Sequence, residues 1–489
     1  PIAWWTECAF SASLAAHGSS EKGSMKMKDA EGPYKPVWES LDRHSAPEWF
    51  DDAKLGMFVD WGLYSVAGWA ARKPQGAMYP DWYLFNMYRE EARDYHQKTW
   101  GESFERDDFI SLFTARKYNA EALAELALGA GMKYIVPFCK HHDGFCLWDC
   151  SYTERDAVDM GPKRDLIRPM VEACRARGLK FGFYFSVDEW EYPTIDEQGA
   201  KHVRLWGQGP VRVMPYDKKE MRGKIGGKRP VRDFVAEYIV PQAREFIVKY
   251  DPDILWFDGE WDLPPEARGT WDITAFFYNN AEGRKAVAVN DRFGAGTRAR
   301  HGDFFTSEFH DGNLSLTHKW EECRPIGQSY GYNREDEDDN VLSSAQLIQL
   351  FVDTVSQGGN LLLIVNLTGP GALAEMEVMR LNALGAWLKV NGEAIYATRR
   401  HRVTREGDTR YTQSKDGKYV YAILPAWPEE PVVLNSVRAV PGSEIRILGL
   451  PHETLWTQDD DALTVTIPGV PAGKMPCECA YALRIEAGS

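Results

Sequence analysis

The chain has 489 residues, of which 44% are hydrophobic, and its 57 Lys+Arg against 72 Asp+Glu leave a net charge of −15. This excludes a disordered chain and disfavours nucleic acid or an anionic membrane as partner, since both demand a basic footprint. No run approaches the roughly 18 apolar residues of a membrane span, and eight cysteines are too few for a disulfide scaffold.

In chain order, residues 1–30 begin without Met and include Gly18-Ser19-Ser20 and Gly23-Ser24. They read as a processed leader or an added cloning segment, outside the fold. A processed leader would place the protein in the periplasm or outside the cell; the compartment itself stays open, as does the oligomeric state. Between about 31 and 397, short apolar runs end in polar residues and alternate with amphipathic stretches. The runs are 55–59, 134–138, 179–185, 253–257, 286–289, 304–305 and 361–365; helical stretches such as 120–128, 166–177 and 235–249 lie between them. Buried strands alternating with helices predict βαβ units, and this many predict a (β/α)₈-type barrel. From 398 to 489 the pattern becomes short alternating runs separated by turn residues such as Asp416-Gly417. That predicts a small all-β sandwich. No glycine-rich nucleotide motif follows a strand and no metal-ligand spacing occurs, so no metal or cofactor is expected.

In a barrel, functional groups gather where the strands end. The polar residues there are Asp60-Trp61, His141-His142-Asp143, Tyr184 to Asp188, Asp258, Asn290-Asp291-Arg292, Glu308 and Asn366. Any one of them could be a strand-end cap or half of an ion pair; seven such positions together point to a site. Adjacent His141 and His142 would present their rings to opposite sides if both lay on a strand. Asp258 and Glu308 end hydrophobic runs, where a carboxylate is costly to desolvate without a purpose. Two acids facing one cavity are the equipment of a glycosidase. Arg292 could keep Asp258 ionised, and a less polar surrounding could raise Glu308. The 18 Trp, 22 Tyr and 22 Phe suit stacking on sugar rings as well as a large aromatic core.

These residues also sit in recognisable segments. They are Lys54-Leu55-Gly56-Met57-Phe58-Val59-Asp60-Trp61-Gly62, Tyr79-Pro80-Asp81-Trp82, Lys140-His141-His142-Asp143-Gly144-Phe145 and Trp256-Phe257-Asp258-Gly259. Val289-Asn290-Asp291-Arg292, Lys319-Trp320-Glu321, Ser329-Tyr330-Gly331-Tyr332, Gly358-Gly359-Asn360-Leu361-Leu362 and Asn391-Gly392-Glu393-Ala394-Ile395-Tyr396 follow. In this order they make the chain, over roughly 47–396, resemble the α-L-fucosidases of glycoside hydrolase family 29. The resemblance implies a retaining exo-hydrolase of a terminal α-L-hexose, fucose first, with a catalytic barrel and a C-terminal β-sandwich. It implies Asp258 as nucleophile and Glu308 as acid/base, with Glu321 a second candidate better suited to an ion pair or the pocket floor. Sugar-binding positions carry over to His141, His142, Tyr184, Trp256, Arg292 and Tyr330, and relatives often place an acid and a Trp where Asp81-Trp82 stands.

One position departs from the family. Relatives usually carry His, bonding the hydroxyl at C4 of the sugar, where this chain has Asp60. A carboxylate offers two acceptors and could hold hydroxyls at both C4 and C6, which a 6-deoxy sugar lacks. The alternatives are therefore an α-L-glucosidase or α-L-galactosidase on the same scaffold, or a catalytically silent sugar-binding protein.

Overall fold

The computed structural model describes residues 31–72, 78–207, 209–309, 317–451, 454–467 and 469–488; the segment read as a leader lies outside them. Eight parallel strands form one curled sheet: β1 (Leu55–Asp60), β2 (Tyr134–Lys140), β3 (Lys180–Ser186), β4 (Ile254–Asp258), β5 (Ala288–Val289), β6 (Phe305–Glu308), β7 (Trp320–Pro325) and β8 (Asn360–Asn366). They follow in chain order, and β8 returns to pair with β1, Leu55 against Leu361 through Asp60 against Asn366. All seven predicted runs are strands. The eighth, β7, had no predicted counterpart, because Glu321, Glu322 and Arg324 break its apolar pattern.

Both faces of the sheet are covered, which is why the strands read as continuous apolar runs. Alternate residues split into two layers. Phe58, Val136, Phe138, Tyr184, Trp256 and Ile364 pack inside the curl. Met57, Val59, Ile135, Phe183, Phe257 and Val365 pack outward. Six outer helices cover that side: α1 (Ala120–Gly129), α2 (Ile167–Ala176), α3 (Val240–Tyr250), α4 (Thr270–Ala281), α5 (Ser344–Ser356) and α6 (Glu375–Asn391). Local chemistry starts two of them. Asn119 accepts from the Ala122 N–H ahead of α1, and Ser343 with Gln346 forms a capping box on α5.

The β5–β6 connection carries no helix, and no ladder joins these strands. The Val289 carbonyl spans the gap by accepting from Asp303 N (2.9 Å) and Phe304 N (3.4 Å). The curled sheet is therefore a barrel with one open seam. Between β3 and α3 lies an antiparallel excursion, Glu191–Ile195, Lys201–Leu205 and Arg212–Pro215.

The C-terminal strands are β9 (Thr398–Glu406), β10 (Thr409–Ser414), β11 (Tyr419–Leu424), β12 (Val432–Leu434), β13 (Arg446–Ile447), β14 (Leu455–Gln458), β15 (Leu463–Thr466) and β16 (Tyr481–Glu486). They form a five-stranded sheet, β9-β10-β11-β16-β13, and a three-stranded one, β12-β15-β14. These enclose a separate core that includes Tyr411, Val420, Leu434, Ile445, Leu463 and Ile485. The unit leans on α6: the Trp387 indole donates to the Ala480 carbonyl at 2.9 Å, and Ala482 N donates to Asn391 Oδ1 at 3.3 Å. No disulfide links the described cysteines. No helix among the described residues is long and apolar enough to cross a membrane.

Candidate active site

Strand periodicity builds the floor first. Phe138, Tyr184 and Trp256 occupy paired register positions on β2, β3 and β4. Their rings form a paved layer: Phe138 and Tyr184 stack at 3.9 Å between centroids, and Tyr184 lies 5.6 Å from Trp256. Two residues beyond Trp256 on the same face, Asp258 rises from this floor. Around it is a cavity of about 280 Å³ lined also by Phe58, Tyr79, Asp81, Trp82, His141, Glu260, Trp261, Arg292, Arg298, Glu308 and Tyr330.

Asp258 is held ionised. Burial alone would raise its pKa, but His142, whose Nε2 lies 3.4 Å from Oδ2, together with the Arg292 charge and the Tyr184 hydroxyl donating at 2.6 Å, outweighs burial and brings it well below the usual range. His142 is oriented from behind by Ser186 Oγ, 2.6 Å from its Nδ1. Because β2 ends at Lys140, His141 and His142 lie beyond the strand and its alternation. Both rings therefore turn to one side, 4.4 Å apart, contrary to the strand-based expectation.

Arg292 serves three carboxylates. Its Nη1 is 3.5 Å from Asp258 and 3.3 Å from Glu260, and its Nη2 pairs with Glu308. The expected apolar surrounding of Glu308 is absent, since its side chain is 33% exposed and paired with this arginine. Glu260 is the carboxyl that is buried; burial and the Asp258 charge raise its pKa against the pull of Arg292 and Arg298. The sequence reading missed Glu260 and Trp261. Gly259 (φ +124°) ends the strand pattern and turns the chain back over the mouth, a backbone that favours glycine.

Asp81, pushed well up by burial and by the charges of Asp60 and Asp258, keeps Oδ1 without a protein partner. His141 Nδ1 and Tyr330 Oη are likewise unsatisfied, and burial with His142 alongside keeps His141 neutral. Buried polar atoms left open in this way are places for a polar ligand.

Three predicted residues do not line the cavity. Besides His142, which acts on Asp258 from behind, Glu321 lies under the floor, accepting from Tyr134 Oη (2.5 Å) and Trp256 Nε1 (3.1 Å). Asp60 is fully buried at the end of β1. Its Oδ1 accepts from the Tyr64 hydroxyl at 2.5 Å and its Oδ2 from Gly331 N at 2.7 Å. Both acceptors expected to read sugar hydroxyls are engaged by protein. Of the other strand-end polar groups, Asn290 bonds the Phe257 backbone, Asp291 bonds Thr306, and Asn366 bonds Glu377. These are structural.

Residues 23–393 match the α-L-fucosidase family and residues 403–486 match the α-L-fucosidase C-terminal domain. The plasma α-L-fucosidase of Rattus norvegicus is 34% identical over 463 residues, covering 92% of this chain and 94% of the relative. Among solved structures, Thermotoga maritima α-fucosidase with a mechanism-based inhibitor is 34% identical, with a TM-score of 0.75 over 93% of this chain and 100% of that one. The same enzyme in complex with fucose is 33% identical, with a TM-score of 0.74 over 92% of this chain and 100% of that one. A chain matched along most of its length, in both its catalytic and its C-terminal regions, belongs to the α-L-fucosidase family.

Proposed function

We propose that the protein is a retaining exo-α-L-fucosidase with Asp258 as nucleophile and Glu308 as acid/base. The observation that carries this reading is Asp258 itself, a strand-end carboxylate kept ionised on the floor of a small cavity in a chain of this family. In the first step Asp258 attacks the anomeric carbon while the glycosidic C–O bond breaks, and the leaving oxygen takes a proton from Glu308. In the second, water gives a proton to Glu308 and displaces Asp258, so the configuration is retained. Arg292 touches both carboxylates and couples their charges.

The open atoms of Asp81, His141 and Tyr330 offer partners to ring hydroxyls, and Phe58 and Phe138 give an apolar surface suited to a C5 methyl. With both its oxygens engaged, Asp60 gives no support to a 6-hydroxylated sugar, so the α-L-glucosidase and α-L-galactosidase readings lose their basis. A silent binding protein would have no need of the two acids. Residues 31–397 are assigned as the catalytic unit and 398–489 as an accessory β unit, since among the described residues none lining the cavity lies beyond Tyr330.

The test is hydrolysis of an aryl α-L-fucoside followed by NMR. The α anomer is expected first, and azide is expected to restore part of the activity lost in Asp258→Ala. Appearance of the β anomer first would overturn the double displacement.

A further inference from the structure

A second cavity, of about 820 Å³, adjoins the catalytic one, between the antiparallel excursion and the segment around Phe85 and Arg89. Its inner wall includes Trp190 and Trp206. Trp206 stacks on Trp261 at 5.4 Å between centroids and lies 6.0 Å from Trp82, which is 5.6 Å from Trp190. Trp82 and Trp261 face the catalytic cavity, so a single aromatic partition separates the two spaces. Trp261 stands on it 43% exposed. A large indole left in water beside catalytic carboxylates is a surface on which the C–H face of a sugar can pack.

The charge of this cleft is opposite to that of the molecule. On a chain of net charge −15, it is lined by Arg89, Arg212 and Lys224 against Glu191 and Glu220. Glu191 is already paired with Arg106, which leaves three cations facing one carboxylate. Among the described residues none of the three cations has an ion-pair partner. Arg89 and Lys224 instead lie over the rings of Phe85 (4.6 Å) and Tyr88 (4.7 Å). The partition is tied to the catalytic wall as well: Trp190 N donates to the His142 carbonyl and Trp206 N to the Trp190 carbonyl, both at 2.9 Å.

We propose that this cleft is the leaving-group subsite and takes an anionic saccharide, one bearing a carboxylate or a sulfate, with the sugar next to the scissile bond stacked on Trp261. The inference rests on the fucosidase reading above and deepens it. Cleavage of a long substrate draws on binding energy from parts that do not react, and cations of the cleft supply it only to an aglycone that carries negative charge.

The test compares kcat/KM of the full chain on four substrates: an aryl α-L-fucoside, a neutral α-L-fucosyl disaccharide, and that disaccharide with glucuronate or with a sulfated sugar as acceptor. The parent is expected to favour an anionic disaccharide over the neutral one by about 10-fold, the scale of two or three partly exposed ion pairs. The double variant Arg212→Gln/Lys224→Gln should lose most of that preference and keep its rate on the aryl fucoside, and added salt should erode the preference in the parent. Preference for the sulfate alone, or for the carboxylate alone, supports the subsite and names its anion. Equal rates on neutral and anionic disaccharides, or a preference unmoved in the double variant, would overturn the subsite while leaving the fucosidase reading intact. Failure of the parent on every fucoside, the aryl one included, would overturn both.

Discussion

One guanidinium shared by three carboxylates sets the electrostatics of the site. Lysine presents a single point charge where arginine presents a fork, so Arg292→Lys cannot reach Asp258, Glu260 and Glu308 together. Its kcat/KM is expected to fall about 100-fold, the scale of losing one preorganised donor. A carboxylate that the shorter-reaching charge no longer contacts has its pKa raised, so with Asp258 losing its guanidinium neighbour the acidic limb of the kcat/KM profile should also move to higher pH; a profile that only scales down would contradict the assignment. Asp60 makes a different claim. Asp60→His should leave the ranking of aryl α-L-fucoside, galactoside and glucoside unchanged. It should cost about 2 kcal/mol in urea unfolding, because the Tyr64 hydroxyl and the Gly331 N–H lose a buried acceptor. At this scale the sequence was legible where a residue ended a strand, as Asp258 and Glu308 do. Asp60 also ends a strand, and the identity of the residue could not reveal that Tyr64, four positions on, would claim its oxygen.

Among the elements, β7 shows why an apolar run is an incomplete signal. Its Glu321 points under the floor and is satisfied by Tyr134 and Trp256, partners supplied by β2 and β4 and invisible from β7's own sequence. The excursion was illegible for a similar reason. Pro193 and the charged residues Glu191, Lys201 and Arg204 obscure its pattern, and part of its anchorage is the buried pairing of Arg204 with Asp188 at 2.6 Å. In β1 a glycine controls the same floor, since a Cβ on Gly56 would lie 2.2 Å from the Tyr134 ring. Gly56→Ala should therefore displace Tyr134 and, through Glu321, Trp256. The expected result is a loss of about 1–3 kcal/mol with a raised KM for the aryl fucoside. A variant that is less stable but has an unchanged KM would separate Gly56 from the floor.

For the molecule as a whole, the buried acids make stability depend on pH. Burial, only partly offset by hydrogen bonds, raises Asp60 and Glu321 to about 7 and Glu377 to about 8. Each stays protonated in the folded chain at pH values where the unfolded chain has ionised. Their contribution is full below the ordinary carboxylate pKa values and is lost as the pH rises toward about 8. Asp51 and Glu189 work the other way: their cationic neighbours outweigh burial and bring both to about 2, so that contribution is lost as the pH falls below about 4. Tm should peak near pH 4, where neither group has begun to lose its contribution, and decline toward pH 8, and Glu377→Gln should lessen the alkaline decline; an unchanged slope would show that Glu377 titrates normally. The tail is bound up with the same stability. Tyr421, Ile423, Ala480 and Ala482 pack into the core shared with the outer helices, so a chain ending at 397 should aggregate although it retains every described residue that lines the cavity around Asp258.

The cavity around Asp258 has a paved floor, with Phe138, Tyr184 and Trp256 closing it below that carboxylate. A substrate can enter it only by an end and cannot thread through. For a polymer of fucose the initial rate would then follow the number of chain termini, so samples of equal mass would release sugar more slowly the longer their chains, and each cut would leave the count of productive ends unchanged until a chain is exhausted.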